Sequence, residues 1–178
     1  MKRKPFRGVG LGFMLDTNSI NAKKGDANIT RIQEWGNKRI ISVILASDTV
    51  EELQRYRAGD REAANYVRVE PDAARSTPPE NIRQALFPKG YSDDPKKRTN
   101  EEIDVWIIAS AKKHGHTLIT IDGAILEHAK ELSTLGVRVS TPAEAAQEVA
   151  NKIKVRDDVD CQMYEEFGEE LPDWHGKD

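Results

Sequence analysis

Apolar residues along this 178-residue chain fall into two alternating patterns. Short continuous runs, Gly8 to Leu15, Ile40 to Leu45, Thr117 to Ile121 and Val137 to Ser140, are bounded by turn residues and predict buried strands. Between them the apolar positions recur at helical spacing. Ile29, Ile32 and Trp35 predict a helix capped by Asp26 or Asn28, with Gly36 just past its end. Asp48-Thr-Val-Glu51 is a capping box that opens a helix through Glu52, Leu53 and Tyr56. Thr99 and Glu102 make a second box ahead of the stripe Ile103, Ile107 and Ala111, which Gly115 ends. Ala124 to Leu135 predicts another helix, and Thr141-Pro142-Ala143-Glu144 opens one that runs to about Lys152. From Arg57 to Thr99 prolines interrupt the pattern, leaving room for short helices at Arg61 to Tyr66 and Pro79 to Leu86. Strands alternating with helices predict an α/β fold on a mainly parallel sheet.

Composition narrows the class. Hydrophobic residues make up 38% and charged residues 32% of the chain, and no apolar run approaches the ~20 residues of a membrane span. A soluble, single-domain protein is expected, with residues 1–9 as a basic arm, 10–155 as the domain, 57–99 as an irregular insertion and 156–178 as an acidic tail. The opening MKRKPFRGVGLGFMLD lacks a small-residue cleavage site and reads as that arm entering the first strand. A single cysteine, Cys161, has no disulfide partner within the chain and suits a reducing cytoplasm.

The net charge of −3 conceals an asymmetry. From Arg156 onward nine acids face two bases, leaving 25 basic and 21 acidic residues before that point, a body of about +4. A mildly basic body around an acidic crevice suits a metal-dependent enzyme acting on a phosphodiester.

That crevice is implied by four acids. Asp16 follows the first apolar strand, Glu52 lies on the helix after the second, Asp104 begins the stripe VWIIASA, and Asp122 follows TLITI. In an open parallel sheet the carboxyl ends of the strands meet at one place, so residues a hundred positions apart converge there. Four carboxylates so gathered require a divalent cation or shared protons. Glu51 is occupied by its capping box and points ~100° away from its neighbour, so Glu52 is the one expected to line the crevice. Asp-Thr-Asn and Asp-Gly are also ordinary turn sequences, whereas Asp104 lies in line with Ile107, Ile108 and Ala111 and is harder to assign to a turn.

Together these residues carry a resemblance. Leu15-Asp-Thr-Asn18, Glu52-Leu53, D-x-x-I-x-A-S-A from Asp104 to Ala111, and Thr120-x-Asp122 resemble the PIN domain, a metal-dependent ribonuclease family that includes the VapC toxins. The resemblance covers roughly residues 10 to 150. It implies a three-layer α/β/α sandwich, Mg²⁺ or Mn²⁺ held at Asp16, Glu52, Asp104 and Asp122, and cleavage of single-stranded RNA. It also implies that Asn18 and Thr120 orient the carboxylates or the attacking water. Oxygen ligands without a Cys/His pattern likewise select a hard cation over zinc. An antitoxin, another protein or a second copy of the chain are the candidate partners. Lys96, Lys97 and Arg98, upstream of Asp104, are candidates for holding the RNA backbone, with a solvated charge run as the alternative. The insertion and the acidic tail depart from small toxin-type members.

Two other classes compete: a non-catalytic module of the same fold that tethers RNA or a protein, and a receiver-like phosphoacceptor domain. The latter needs an acidic pair after the first strand and a lysine after a late one, which this chain does not offer. His114-Gly-His116 lacks a second ligand pair for zinc, and GVGLG precedes its strand rather than following it as a dinucleotide loop does.

Overall fold

The computed structural model describes residues 7–21, 26–47, 49–50, 67–69, 79–168 and 170–178. Strand β1 (Gly12–Leu15) leads through Asp16 into a short helix α1 (Thr17–Asn21). Helix α2 (Ala27–Asn37) follows, then β2 (Ser42–Ala46) and β3 (Val67–Val69). Helices α3 (Glu80–Leu86) and α4 (Pro95–His114) precede β4 (Thr117–Ile119). The chain ends in α5 (Gly123–Glu127), α6 (Ala129–Thr134), β5 (Val139–Ser140) and the long α7 (Pro142–Phe167).

The strands form one parallel sheet in the order β3-β2-β1-β4-β5. Their continuous apolar runs are explained by burial on both faces. Because side chains alternate along a strand, Phe13, Leu15, Val43, Leu45 and Ile119 face one core, closed by Ile29, Ile32 and Trp35 of α2 and by Ala145, Val149 and Ile153 of α7. Met14, Ile44, Ala46 and Leu118 face the other, closed by α3, α4, α5 and α6. The result is a three-layer α/β/α sandwich.

Several local expectations are revised. The third strand in sequence, β3, lies within the stretch expected to be irregular, so the described residues form a sheet of five strands where four were expected. Helix α4 begins at Pro95, four residues before the expected capping box: Asp94 accepts a hydrogen bond from the Lys96 amide at 2.9 Å, and the Thr99 hydroxyl bonds back to the Pro95 carbonyl. An Asp-Pro pair supplies both the cap and the fixed φ of a first helical residue. The helix expected over Ala124 to Leu135 is two, broken at His128. The Thr141/Glu144 capping box forms as expected, yet α7 continues fifteen residues past Lys152 to Phe167, ending at Gly168 in the left-handed region.

Gly36 sits inside α2 and not beyond it. A Cβ there would meet Val43 Cγ2 at 2.9 Å, so glycine allows α2 to lie close on β2. The helix ends in a Schellman motif, with the Arg39 amide on the Gly36 carbonyl and the Ile40 amide on the Trp35 carbonyl. Arg39 holds the left-handed position at φ 59, where glycine is the usual residue.

Beyond α7 the chain returns. Trp174 lies under the Arg156 guanidinium at 4.3 Å, and the fully buried carboxylate of Asp178 pairs with Arg7, with Arg156 at 3.1 Å and with Lys38 at 3.8 Å. Burial pushes the Asp178 carboxyl upward, but hydrogen bonds from Arg7 and Arg156 outweigh it and hold the group below its ordinary value. This clasp joins the residues ahead of β1, the end of α2 and the middle of α7.

Candidate active site

The sheet order reverses at β1. β2 and β3 build outward on one side of it, while β4 and β5 build on the other, so the carboxyl ends of β1 and β4 flank the topological switch point. Ligands of open α/β sheets bind in that crevice. Here the two strand ends are joined by hydrogen bonds. The Asp16 amide donates to the Ile119 carbonyl at 3.1 Å, and the buried Ser19 hydroxyl donates to the same carbonyl at 3.1 Å.

Asp16 is 4% exposed and Thr120 is fully buried. The Thr120 hydroxyl donates to Asp16 Oδ2 at 2.6 Å, a short charge-assisted bond, and accepts from the Asp122 amide at 3.0 Å. Threonine thus ties the β1 carboxylate to the loop that carries Asp122. The Asn18 amide lies 3.4 Å from Asp16 Oδ1, while the Asn18 side chain is exposed. Asp122 caps α5, accepting from the Ala124 amide at 2.8 Å, and is half-buried. A carboxylate buried to this degree at a strand end costs several kcal/mol unless paired, and threonine supplies one such partner.

Asp104 lies half-buried on α4, beside the buried Val105 and one turn before Ile108. It is ten residues before His114, about 15 Å along the helix. The chain reverses at Gly115 into β4, which ends at Ile119, and Asp122 follows as the N-cap of α5. Glu52, with Asp48 and Glu51, lies outside the described residues. Among the described residues, no three acidic, His or Cys side chains form a group that could hold a metal ion.

Lys96, Lys97 and Arg98 occupy the first turn of α4. Lys97 reaches Glu101 at 3.9 Å, and Arg98 bonds Glu102 at 3.0 Å while lying 5.8 Å from the Tyr91 ring centre. Arg83 approaches the same ring at 6.0 Å. Burial raises the Tyr91 hydroxyl above its ordinary value, with the charge of Glu102 adding to it. Glu101, overlooked in the sequence, is buried and accepts the Ser92 amide at 2.7 Å, fixing the turn before α4. Ser19 was overlooked as well. Its position three residues after Asp16, one helical turn on, is the signal that could have marked it.

No protein-family model and no curated protein matches the sequence. Solved structures do match. VapBC2 from Rickettsia felis bound to a DNA fragment from their promoter superposes with a TM-score of 0.51 at 15% identity, over 74% of this chain and 98% of that one. DNA-bound VapBC from Salmonella typhimurium gives 0.51 at 22% identity, over 74% and 98%. FitAB bound to a DNA fragment gives 0.51 at 18% identity, over 73% and 94%.

The chain has the PIN-domain fold. In this PIN sandwich Asp16 ends the central strand and Thr120 ends its neighbour across the switch point, so the two residues meet because of strand order and not of sequence proximity. Among the described residues, no helix is long and apolar enough to cross a membrane.

Proposed function

We propose that this protein is a metal-dependent endoribonuclease that cleaves single-stranded RNA with water at a site built on Asp16, Asp104, Asp122 and Glu52. The observation that carries the reading is the buried Asp16 carboxylate, held by Thr120 at the switch point of a PIN fold. An all-oxygen donor set suits Mg²⁺ or Mn²⁺. Asp16, Asp104 and Asp122 form no three-ligand group among the described residues, and Glu52 is assigned as a further ligand from its place in the sequence pattern. When bound, the cation would acidify a water and neutralise charge on the phosphate. Thr120 fixes the Asp16 carboxylate in one orientation and couples it to the Asp122 loop. Lys96, Lys97 and Arg98 offer positive charge to the RNA backbone at the entrance of α4. The VapBC and FitAB structures are assemblies on DNA. The likeness supports a DNA-binding antitoxin as partner for this chain; a cytoplasmic location and a homodimer as the other assembly complete the proposal.

The test is cleavage of a labelled single-stranded RNA with Mg²⁺, Mn²⁺ or chelator. Cleavage should require metal, disappear in Asp16→Asn and Asp104→Asn, fall severely in Glu52→Gln and persist in Glu51→Gln. A second reading, a non-catalytic RNA- or protein-binding module, is favoured by the lack of a three-ligand group among the described residues. RNA binding without cleavage, unaffected by either metal, would select it.

A further inference from the structure

At the opposite, amino-terminal edge of the sheet lies a cavity of about 740 Å³, within the range of small-molecule sites. We propose that it binds a mononucleotide. Five glycines from three separate segments line it, Gly8, Gly10 and Gly12 ahead of and in β1, Gly36 in α2 and Gly115 before β4, so backbone and not side chain forms much of the wall. Among the described lining residues none is acidic. The charged group at the rim is Arg39, exposed and without a carboxylate partner among the described residues.

Arg39 is the telling residue. It stands in the left-handed position of the α2 Schellman motif, where an arginine is disfavoured by about 1 kcal/mol relative to glycine. Local strain of this kind, kept beside a cavity, points to a use for the side chain. A guanidinium with no competing acid nearby suits a phosphate.

The remaining polar groups suit the rest of a nucleotide. His116 Nδ1 lies 2.6 Å from the His114 carbonyl, which can only accept, so Nδ1 carries the proton and Nε2 presents a lone pair in the neutral ring. Nε2 lies 3.4 Å from Ser42 Oγ, and the pair can bond a sugar hydroxyl. A Cβ on Gly12 would fall 2.7 Å from the imidazole, so glycine permits that ring position. Gln33 is 7% exposed and borders the cavity, and its buried amide nitrogen has no hydrogen-bond partner among the described residues; turned into the cavity, it would donate to a base acceptor. Leu11, Ile41 and Val43 supply an apolar wall for the ring.

The experiment is an amide NMR titration of the full chain with AMP, adenosine, ribose 5-phosphate and inorganic phosphate. AMP should saturate shifts at Gly10, Gly12, Gly36 and Gly115. Each fragment probe should bind at least about tenfold more weakly, as should Arg39→Gly, which keeps the backbone conformation and removes the charge. Gly12→Ala should weaken AMP by displacing His116, and Asp16→Asn should leave it unchanged. No saturable shift with millimolar AMP overturns the proposal. So does equal affinity for phosphate or adenosine, or loss of the shifts in Asp16→Asn, which would move binding to the carboxylate crevice.

Discussion

Replacing Thr120 by valine keeps the shape of a fully buried side chain and deletes one hydroxyl. That hydroxyl makes two bonds, one to Asp16 Oδ2 at 2.6 Å and one from the Asp122 amide at 3.0 Å. Losing the first removes a bond to a charged group, worth about 1.5–3 kcal/mol, and losing the second strands a partly buried amide at a cost of about 1–3 kcal/mol. The carboxylate and the loop can each recover part of this by moving toward water, so the expected loss is about 3 kcal/mol. For a chain of this size that corresponds to about 6–12 °C in melting temperature. Urea unfolding followed by the fluorescence of Trp35, which is 2% exposed, would measure it. Thr120→Ser restores the hydroxyl and should recover most of the loss. A double-mutant cycle with Asp16→Asn should give a coupling of at least about 1 kcal/mol, because the two side chains touch. If Thr120→Val lies within about 0.5 kcal/mol of wild type, or the cycle is additive, the bond between β1 and β4 does not hold the site.

Mn²⁺ or Mg²⁺ should raise the melting temperature by binding the native state, and Asp104→Asn should abolish that rise, read by differential scanning fluorimetry with and without chelator. Arg39→Gly should stabilise the fold by about 0.5 kcal/mol, since relief of left-handed strain exceeds the added freedom of the unfolded chain; a loss measured by denaturation would contradict the Schellman assignment. Gly36→Ala should cost about 1–3 kcal/mol by pressing on Val43, and the cost should shrink in Val43→Ala, where Cγ2 is gone. Asp178 is held below its ordinary value of 3.8, so the clasp's contribution is fully present above that pH and is lost as pH falls through the lower folded value. Tryptophan fluorescence from Trp174 should report this acid transition, and it should be missing in Asp178→Asn.

The sheet was legible because its strands are buried on both faces and are therefore written as uninterrupted apolar runs. β3 was not, since Val67–Val69 is a three-residue edge strand among polar neighbours and carries no pattern long enough to read. The Thr99/Glu102 box matched a motif, but Asp94-Pro95 lay upstream with a stronger combination of cap and fixed φ, and the helix started there. Asp16 was legible at the end of an apolar run, and Thr120 through the resemblance, which implies that it orients the carboxylates. Their contact depends on β4 pairing with β1, a fact of topology that no local window contains. The cavity at the other edge was invisible for the same reason: GVGLG, Gly36, Arg39 and His116 are scattered in sequence and adjacent only once β1, α2 and β4 are packed.

The Thr120 to Asp16 bond spans 104 residues. Closing a loop of that length costs about 4 kcal/mol in chain entropy before any contact is made, and contacts this distant in sequence slow folding. On the ribosome, at roughly 5–20 residues per second, Asp16 waits on the order of 5–20 s before Thr120 is even synthesised. Until then β1 has no neighbour on its β4 side, and the carboxylate at its end has neither its hydroxyl partner nor the Asp122 loop beside it. A nascent or truncated chain thus carries the residues of the site without the site, and whatever chemistry is done there begins only after most of the protein has been made.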